Sequence, residues 1–389
     1  MIAGRTRLQG GAEENVKGER PTTATIDLQA ISANYAAARR LGGDRDVIAV
    51  VKADGYGHGA VPVARRLVSS GCDHLAVVTV AEAAELRAAA VDCAILVLGG
   101  VHDAAEAADV LELAVTPVIQ HAGHIGLLYQ AAREHRAPLP VQVEVDTGMR
   151  RMGLPAEDAP ALLERIAREP ALKLEGVYTH LACADEEDLG PSQNQLRLFS
   201  EILSAVQARG VEPGQVHVAN SAGLLATADL AAFLPTQINA VRPGLMLYGV
   251  HPAAHLRDRA ALTPAMTLRS RVSNVRHVRP GDAVGYGGTF EATHRGRIAT
   301  LPIGYADGIP WSLGNRGFVL LRGSRVPIVG RVSMDLVTVF VGDDPVEIGD
   351  PVVLFGEGLP VEEVAEKAGT ISYELLVGIG GRVPRVVRS

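Results

Sequence analysis

The chain has 389 residues, of which 47% are hydrophobic, and 37 basic against 44 acidic side chains give it a formal net charge of −7. This length and composition suffice for more than one buried core, and we take two domains as the working number. The negative charge argues against a nucleic acid partner. Three scattered cysteines make no disulfide framework and indicate a reducing, cytoplasmic setting. No stretch has the length and apolar purity of a membrane span.

The N-terminal part of the chain divides into a short extension and a long repeating region. Residues 1–22 are polar and glycine-bearing and predict a flexible extension. Within residues 23–263, short β-branched runs alternate with segments of helical spacing, which is typical of βα units around a parallel sheet. Eight such runs predict a (β/α)8 TIM-type barrel. They cover residues 47–51, 75–78, 95–98, 115–119, 141–145, 174–179, 216–219 and 239–247.

An open, doubly wound dinucleotide-binding sheet is the alternative for this region. Residues 55–60 loosely match the Gly-x-Gly-x-x-Gly/Ala turn that follows the first strand of such a sheet. That fingerprint also needs an acidic residue at the end of the second strand, where this chain has Thr79 and Val80. The barrel is therefore favoured.

The C-terminal part of the chain, residues 264–389, has a different texture. Alternating runs separated by Gly, Pro and Asp turns predict a mostly-β domain. One helix is indicated over residues 361–368, with Pro360 before it and Gly369 after it. The predicted fold class is α/β, with the barrel followed by this domain. The alternating runs are residues 265–277, 297–301, 318–322, 337–341 and 351–355.

A lysine follows the first predicted barrel strand. Because the active site of such a barrel lies at the C-terminal ends of its strands, Lys52 is a candidate catalytic residue. A lysine on an apolar strand can have a depressed pKa, as a Schiff-base amine requires, although most isolated lysines are surface residues. The glycine-rich loop after Lys52, which contains Tyr56, favours the functional interpretation.

Other predicted strands also end in polar residues. The fifth delivers Glu144, and the sixth ends at His180. Small residues after strands seven and eight are where a barrel commonly binds phosphate, and Ser221 and Gly244 suit that role. Any one of these residues is most simply a buried hydrogen-bonding group, so it is their clustering that predicts a site.

A metal site is disfavoured by the sequence. His251 and His255 have the spacing of a helical zinc site, but Pro252 lies between them and the usual glutamate is missing. We therefore predict no metal. No phosphate-binding loop of the Gly-x-x-x-x-Gly-Lys-Ser/Thr type is present either.

Several motifs together resemble those of the alanine racemases, which are fold-type III pyridoxal 5'-phosphate enzymes. The resemblance extends over nearly the whole chain from Thr25, and only the N-terminal extension falls outside it. It is most specific in the string AVVKADGYGHG at residues 49–59. The further motifs lie at residues 145–149, 242–244, 285–289, 304–308, 333–335 and 371–374.

The resemblance implies a set of cofactor contacts. Lys52 would form the Schiff base with pyridoxal 5'-phosphate, and Arg242 would face the pyridine nitrogen. Arg151 would contact the phenolic oxygen of the cofactor and the carboxylate of the substrate. The groups that would hold the phosphate are Tyr56, Ser221, Gly244 and Tyr373.

The resemblance also implies a shared active site. Tyr286 would be the second catalytic base, contributed by the β domain of the partner in a homodimer, with His180 between Tyr286 and Arg242. Tyr305 and Met334, also from the partner, would line the entry and receive the substrate carboxylate. The implied reaction interconverts L-alanine and D-alanine by two-base proton transfer at Cα of the cofactor-bound substrate. It would supply D-alanine for peptidoglycan of the cell wall.

Two positions depart from the family pattern. Many members have a carbamylated lysine at the position of Glu144, which presents an anion to the arginine equivalent to Arg151. We expect Glu144 to supply that anion directly, and the alternative is a plain surface salt bridge. Ser333 stands where a cysteine is common.

Three other functions remain as alternatives at this point. A racemase of broader specificity, acting on serine or lysine, would use the same scaffold. An amino-acid decarboxylase should lack a tyrosine base, and the Gly-Tyr-Gly around Tyr286 counts against it. A barrel-only pyridoxal carrier would leave the segment after Thr263 without a use.

Overall fold

The computed structural model describes residues 7–8, 20–133, 135 and 137–389 of the chain. Two compact units are present: Ser32–Gly55 with Ala60–Leu262, and the N-terminal part up to Ile31 with Tyr56–Gly59 and Thr263–Ser389. Most of the extension predicted over residues 1–22 lies outside the described residues. The strand Thr23–Asp27 pairs with Met266–Arg271 and Arg385–Arg388, so it groups with the C-terminal unit, although the sequence boundary assigned it to the barrel.

The first unit is a closed barrel of eight parallel strands, as predicted. Each strand pairs with its neighbours in the ring, and pairing of Thr116–Ile119 with Leu139–Asp146 closes it. The ring leaves no open edge, which excludes the doubly wound sheet. Around the ring the strands are Asp46–Val50, His74–Val77, Ala94–Val97, Thr116–Ile119, Leu139–Asp146, Leu172–Tyr178, Gln215–His217 and Ala240–Val241, and the short strand Leu154–Pro155 adds to Leu139–Asp146.

The last barrel strand is shorter than predicted. The sequence indicated residues 239–247, but only Ala240–Val241 is a strand, and Leu245–Tyr248 forms a 3₁₀ helix. Pro243 lies between them and has no backbone N–H to continue the ladder. The polar residues that follow Val241 are therefore placed on a turn at the end of the barrel.

Helices separate the strands, and they form where apolar residues recur with helical spacing. Several begin at residues that accept hydrogen bonds from the first turn, namely Thr79, Asp103 and Asn220. Within the described ranges, no helix combines the length and apolarity needed to cross a membrane. The helices are Leu28–Gly42, Ala60–Ser69, Val80–Ala88, Ala104–Glu112, Ala122–Ala132, Ala159–Ala167, Gly190–Ala208, Ser221–Leu225 and Thr227–Leu230, with short 3₁₀ helices at Ala231–Phe233 and Ala254–Arg259.

The second unit is mostly β, as predicted. The predicted run 265–277 forms two strands, Met266–Arg271 and Asn274–Val278, which belong to different sheets. The chain passes from one sheet to the other at Val272 and Ser273. The N–H of Val272 donates to the carbonyl oxygen of Asp350, and the N–H of Ser273 donates to that of Thr300. The other strands are Ala283–Val284, Phe290–Glu291, Gly296–Leu301, Phe318–Leu321, Ser324–Pro327, Val337–Gly342, Pro351–Phe355 and Arg385–Arg388, with Arg7–Leu8 pairing beside the last.

Two helices complete this unit. Val361–Ala368 is a helix over the predicted residues and ends at Gly369, which has a left-handed φ of 72°. Ser372–Gly378 follows it. Three short 3₁₀ helices, Tyr286–Gly288, Tyr305–Asp307 and Trp311–Leu313, lie in loops of the unit.

Candidate active site

The loop after the first barrel strand has an unusual backbone. Ala53, Asp54 and Gly55 all have left-handed φ and ψ, between 47° and 59°. This conformation costs a non-glycine residue about 1 kcal/mol or more, so other contacts must hold it. The N–H of Ala53 donates to Glu82 Oε1 at 2.7 Å, and Asp54 Oδ1 accepts from the N–H of Ala60 at 2.7 Å. The turn fixes the backbone immediately after Lys52.

The surroundings of Lys52 favour its neutral amine. Burial lowers the pKa of this amine most strongly, and the positive charges of Arg151 and Arg242 lower it further, while Glu82 opposes them. A neutral amine is the nucleophilic form. The depressed pKa expected from the apolar strand is thus found, with two arginines as additional causes.

Arg242 is a buried cation held by two histidines. Its Nη1 donates to Nδ1 of His217, and its Nη2 donates to Nδ1 of His180 at 3.1 Å. The guanidinium also lies 4.5 Å from the ring centroid of Tyr178, which stacks on His217 at 4.7 Å. Burial and the charge of Arg242 lower the pKa of His180 to about 3 and that of His217 well below its usual value. Both rings are therefore neutral acceptors at neutral pH.

Glu144 is buried, with 5% of its surface exposed, and its bonds are not those expected. Oε2 accepts from Gln120 Nε2 at 2.6 Å and from the hydroxyl of Tyr178 at 3.2 Å. No ion pair joins it to Arg151 among the described residues. The interpretation as a surface salt bridge is therefore wrong. Burial and the charge of Glu144 raise the pKa of Tyr178, which keeps that phenol protonated.

Ser221 and Gly244 are brought together at the ends of the last two strands. Ser221 Oγ accepts from the backbone N–H of Gly244 at 2.9 Å and of Met246 at 3.2 Å. Because the oxygen is an acceptor in both bonds, the hydroxyl hydrogen remains for an acceptor in the site. The N–H of Gly244 is engaged within the protein.

In the second unit, Tyr56 and Tyr373 lie close together. Their ring centroids are 6.2 Å apart with an interplanar angle of 44°. Gly57 has a φ of 79°, and a Cβ there would lie 2.2 Å from the carbonyl oxygen of Leu376, so only glycine lets this segment approach the helix that carries Tyr373. Two phenols from distant parts of the sequence are thereby paired.

Tyr286 projects from a glycine-rich loop with 73% of its surface exposed. Gly285 and Gly287 flank it with φ values of 74° and 73°, and the site of a Cβ on Gly287 is 3.4 Å from the guanidinium of Arg331. Such exposure is high for a catalytic tyrosine in an isolated chain. Another surface must cover it if it acts as a base.

Tyr305 and Met334 belong to adjacent loops. The N–H of Tyr305 donates to Ser333 O and that of Ala306 to Met334 O, each at 3.0 Å. Tyr305 is 45% exposed and Met334 53% exposed. Ser333, at the position where a cysteine is common, bonds through its hydroxyl to the backbone of Leu336.

The predicted site residues thus fall into two groups, one in each unit. The barrel unit gathers Lys52, Arg151, His180, Ser221, Arg242 and Gly244, whereas the second unit carries Tyr56, Tyr286, Tyr305, Met334 and Tyr373. The sequence reasoning missed Glu82, Gln120 and the role of His217. Gln120 directly follows the strand Thr116–Ile119, so the rule that located Glu144 would also have found it.

A closed (β/α)8 barrel with a desolvated lysine at its strand ends, followed by a mostly-β unit, defines a two-unit barrel enzyme. The family model "Alanine racemase, N-terminal domain" matches residues 26–252, and "Alanine racemase, C-terminal domain" matches residues 265–387. The chain belongs to the alanine racemase family.

Individual relatives agree with this assignment. The alanine racemase of Syntrophobacter fumaroxidans is 44% identical over 361 residues, which cover 91% of this chain and 94% of that protein. The biosynthetic alanine racemase of Pseudomonas aeruginosa is 39% identical, with a TM-score of 0.87 and coverage of 95% and 100%. The alanine racemase of Clostridium difficile 630, solved in complex with cycloserine, is 33% identical, with a TM-score of 0.85 and coverage of 95% and 96%.

Proposed function

We propose that this chain interconverts L-alanine and D-alanine with pyridoxal 5'-phosphate as its resident cofactor. The observation that carries the proposal is the desolvated Lys52 beside Arg151 and Arg242, in a chain whose relatives are alanine racemases. When bound, the cofactor supplies an electron sink for the carbanion left by cleavage of a Cα–H bond. The substrate is a small amino acid, and the complex of the Clostridium difficile relative with cycloserine supports a small-molecule site.

The residues present fit this cofactor. The pKa of the Lys52 amine is lowered, which favours its nucleophilic neutral form, and the two permanently charged arginines near it would stabilise an anionic ligand. The hydroxyl hydrogen of Ser221 and the paired phenols of Tyr56 and Tyr373 are the donors that we assign to the phosphate.

We assign Arg242 to the pyridine nitrogen. A guanidinium does not give up a proton at physiological pH, so it can donate a hydrogen bond to this nitrogen but cannot protonate it. The hydrogen bonds of Arg242 to neutral His180 and His217 keep the positive charge on the arginine itself. Weaker delocalisation into the ring limits side reactions of the carbanion.

Racemisation needs a proton-transfer group on each face of the planar carbanion, and we assign Lys52 and Tyr286 to these roles. Tyr286 would come from the partner in a homodimer. Its exposure in the single chain supports this, as does the exposure of other large apolar residues of the second unit, namely Tyr305, Trp311, Met334 and Ile371. Tyr305 and Met334 would then line the entrance to the partner's barrel.

The rival functions have less support. The relatives favour alanine over serine or lysine as the substrate. A decarboxylase or a barrel-only carrier would not need the exposed Tyr286 loop. Cys72, Cys93 and Cys183 are all free thiols, which agrees with the cytoplasmic location where D-alanine for peptidoglycan would be made.

The proposal is tested by incubating the purified protein with L-alanine, and separately with D-alanine, in deuterated water. Optical rotation should decay to zero from both sides, with deuterium incorporated at Cα. L-serine and L-lysine should react at least about tenfold more slowly. Lys52→Ala should lose the visible absorbance of the bound cofactor. Decay of rotation with serine or lysine but not with alanine, or release of carbon dioxide, would overturn the proposal.

A further inference from the structure

A line of hydrogen-bonded side chains crosses the interior of the barrel and begins at Arg242. Nη1 of Arg242 donates to Nδ1 of His217, and Nε2 of His217 lies 2.8 Å from Oε1 of Gln142. Gln142 Nε2 donates to Gln215 Oε1 at 3.0 Å, and Gln215 Nε2 donates to Asp46 Oδ2 at 3.4 Å. We name these five residues the core line. It runs from the C-terminal ends of the barrel strands to their N-terminal ends, where Asp46 is exposed.

The hydrogen bonds of the core line can run in only one donor-to-acceptor direction, which starts at Arg242. A guanidinium has no acceptor, so Nδ1 of His217 must be unprotonated, and a neutral ring then carries its proton on Nε2. That proton can only go to the carbonyl oxygen of Gln142, which turns the amide nitrogen of Gln142 toward Gln215. Burial and Arg242 lower the pKa of His217 and so favour this neutral ring.

The local backbone is shaped to place Gln142 in the core line. In the pairing of Leu139–Asp146 with Leu172–Tyr178, Val141 is opposite Leu174 but Gln142 is opposite Gly176, so Glu175 is an extra residue. Such a bulge re-aims the side chains around it. A Cβ on Gly176 would lie 2.9 Å from Cδ of Gln142 and 2.6 Å from the carbonyl oxygen of Gln215, so glycine leaves the space that the carboxamide occupies.

Burial of the Gln142 carboxamide is unfavourable in free energy unless its oxygen and nitrogen form hydrogen bonds. It is 6% exposed, and His217 and Arg242 are 0% and 3% exposed. Its oxygen and nitrogen each have a partner, so the carboxamide is satisfied on both sides. An apolar side chain would fill the same place at lower desolvation cost, which indicates that the carboxamide serves a purpose other than stability.

We propose that Gln142 is a positioning residue: its carbonyl oxygen accepts from Nε2–H of His217 and so stabilises, together with Arg242, the tautomer and ring position that orient the guanidinium of Arg242 in the active site. Gln142 does not reach the reacting atoms. It acts through His217, because only an unprotonated Nδ1 can accept from Arg242. The step from Arg242 to the cofactor rests on the proposed function, whereas the tautomer of His217 does not.

The first test is the tautomer of His217, read from side-chain nitrogen shifts in long-range ¹H–¹⁵N spectra of the full-length protein, with His217→Gln to assign the signal. The wild type should show a protonated Nε2 and an unprotonated Nδ1, unchanged from about pH 5.5 to 8.5 because the ring does not titrate there. Gln142→Leu should shift the signal toward the other tautomer or an averaged value. Gln215→Leu is the matched control, because it breaks the core line one residue further on, and it should leave the signal unchanged.

The second test is affinity for pyridoxal 5'-phosphate, measured by titrating the apoenzyme. Gln142→Leu should weaken binding by about tenfold, and Gln215→Leu by less than about twofold, because only the former releases Arg242. If Gln142→Leu fails to fold, Gln142→Glu keeps an acceptor and should preserve the Nε2–H tautomer. A wild-type His217 protonated on Nδ1, or an unchanged signal in Gln142→Leu, would overturn the proposal. Either result would leave the proposed function intact. The proposed function is tested separately, by the racemase assay on the wild-type protein.

Discussion

The backbone N–H of Ala53 donates a hydrogen bond to Glu82 Oε1 at 2.7 Å, and the other oxygen of the same carboxylate accepts from the N–H groups of Val78 and Thr79. One side chain therefore holds the left-handed turn after Lys52 and also caps the helix Val80–Ala88. This links the start of a helix on the second βα unit to the position of the candidate catalytic lysine on the first.

Glu82→Gln should lower the free energy of unfolding by about 1–2 kcal/mol, because a single carbonyl oxygen cannot accept at both places. Urea denaturation measures this change. Glu85→Gln on the same helix is the control, since Glu85 is exposed and makes none of these bonds. Equal losses in the two variants would show that the carboxylate does not hold the turn.

Activity should be independent of bicarbonate, because a glutamate stands at position 144 and, unlike a lysine, it cannot be carbamylated. Initial rates in carbon dioxide-depleted buffer and with added bicarbonate should agree. Glu144→Gln keeps an acceptor for Gln120 and Tyr178 but removes the charge, and it should lower kcat/KM by about tenfold or more, that is, about 1.4 kcal/mol. A strong activation of the wild type by bicarbonate would contradict the role given to Glu144.

Stability should fall as the pH is lowered below about 6.5. The folded chain lowers the pKa of His124 to about 4, that of His180 to about 3 and that of His217 well below its usual value, chiefly through burial. Below the ordinary histidine pKa of about 6.5, these histidines are protonated in the unfolded chain but stay neutral in the folded chain. The free energy of unfolding is therefore not reduced by these histidines above that pH. It falls as the pH drops from about 6.5 toward the pKa of each histidine in the folded chain.

The free energy of unfolding should change by about 1.4 kcal/mol per pH unit for each such histidine. Between about pH 5.5 and 4.5, where the unfolded ring is protonated, His217→Asn should reduce the measured slope by that amount. Denaturant titrations at a series of pH values give the slope. His277→Asn, at an exposed ring, is the control. Parallel pH profiles for wild type and His217→Asn would refute the assignment of a neutral ring.

Ser221→Ala should destabilise the cofactor-free protein by about 1–3 kcal/mol, because two backbone N–H groups, of Gly244 and Met246, lose their acceptor. Thermal or chemical denaturation of the apoenzyme reports this without any contribution from ligand. Ser204→Ala is the matched control, because the hydroxyl of Ser204 is exposed and bonds only within its own helix. An equally small effect at both positions would show that the turn at Gly244 does not depend on Ser221.

Much of the barrel and of the site follows from the sequence alone. Parallel strands of a barrel end at one face, so polar residues after apolar runs predict a cluster, and Lys52, His180 and Arg242 do share their surroundings. The eighth strand was misjudged because Pro243 and Gly244 end the ladder within an apolar run. Fold class and helix ends depend on local patterns, which is why they were predictable.

The partners of individual groups were less predictable, because they depend on register between strands distant in sequence. Glu144 bonds to Gln120 and Tyr178, contributed by its two neighbours in the ring. Gln142 is a polar residue at a buried strand position two before Glu144, and that alternation could have marked it. The one local signal of the bulge at Glu175 is Gly176, because an isolated glycine within a strand often accompanies a bulge.

The central claim is that Lys52 of one subunit acts with Tyr286 of the other. Lys52→Ala and Tyr286→Phe should each be inactive as homodimers. A heterodimer of the two variants, isolated with two different affinity tags, has one site with both wild-type residues if the sites are shared, so it should recover about half the wild-type activity. A heterodimer as inactive as its parents would contradict the claim, because a Tyr286 that serves its own chain leaves neither site complete.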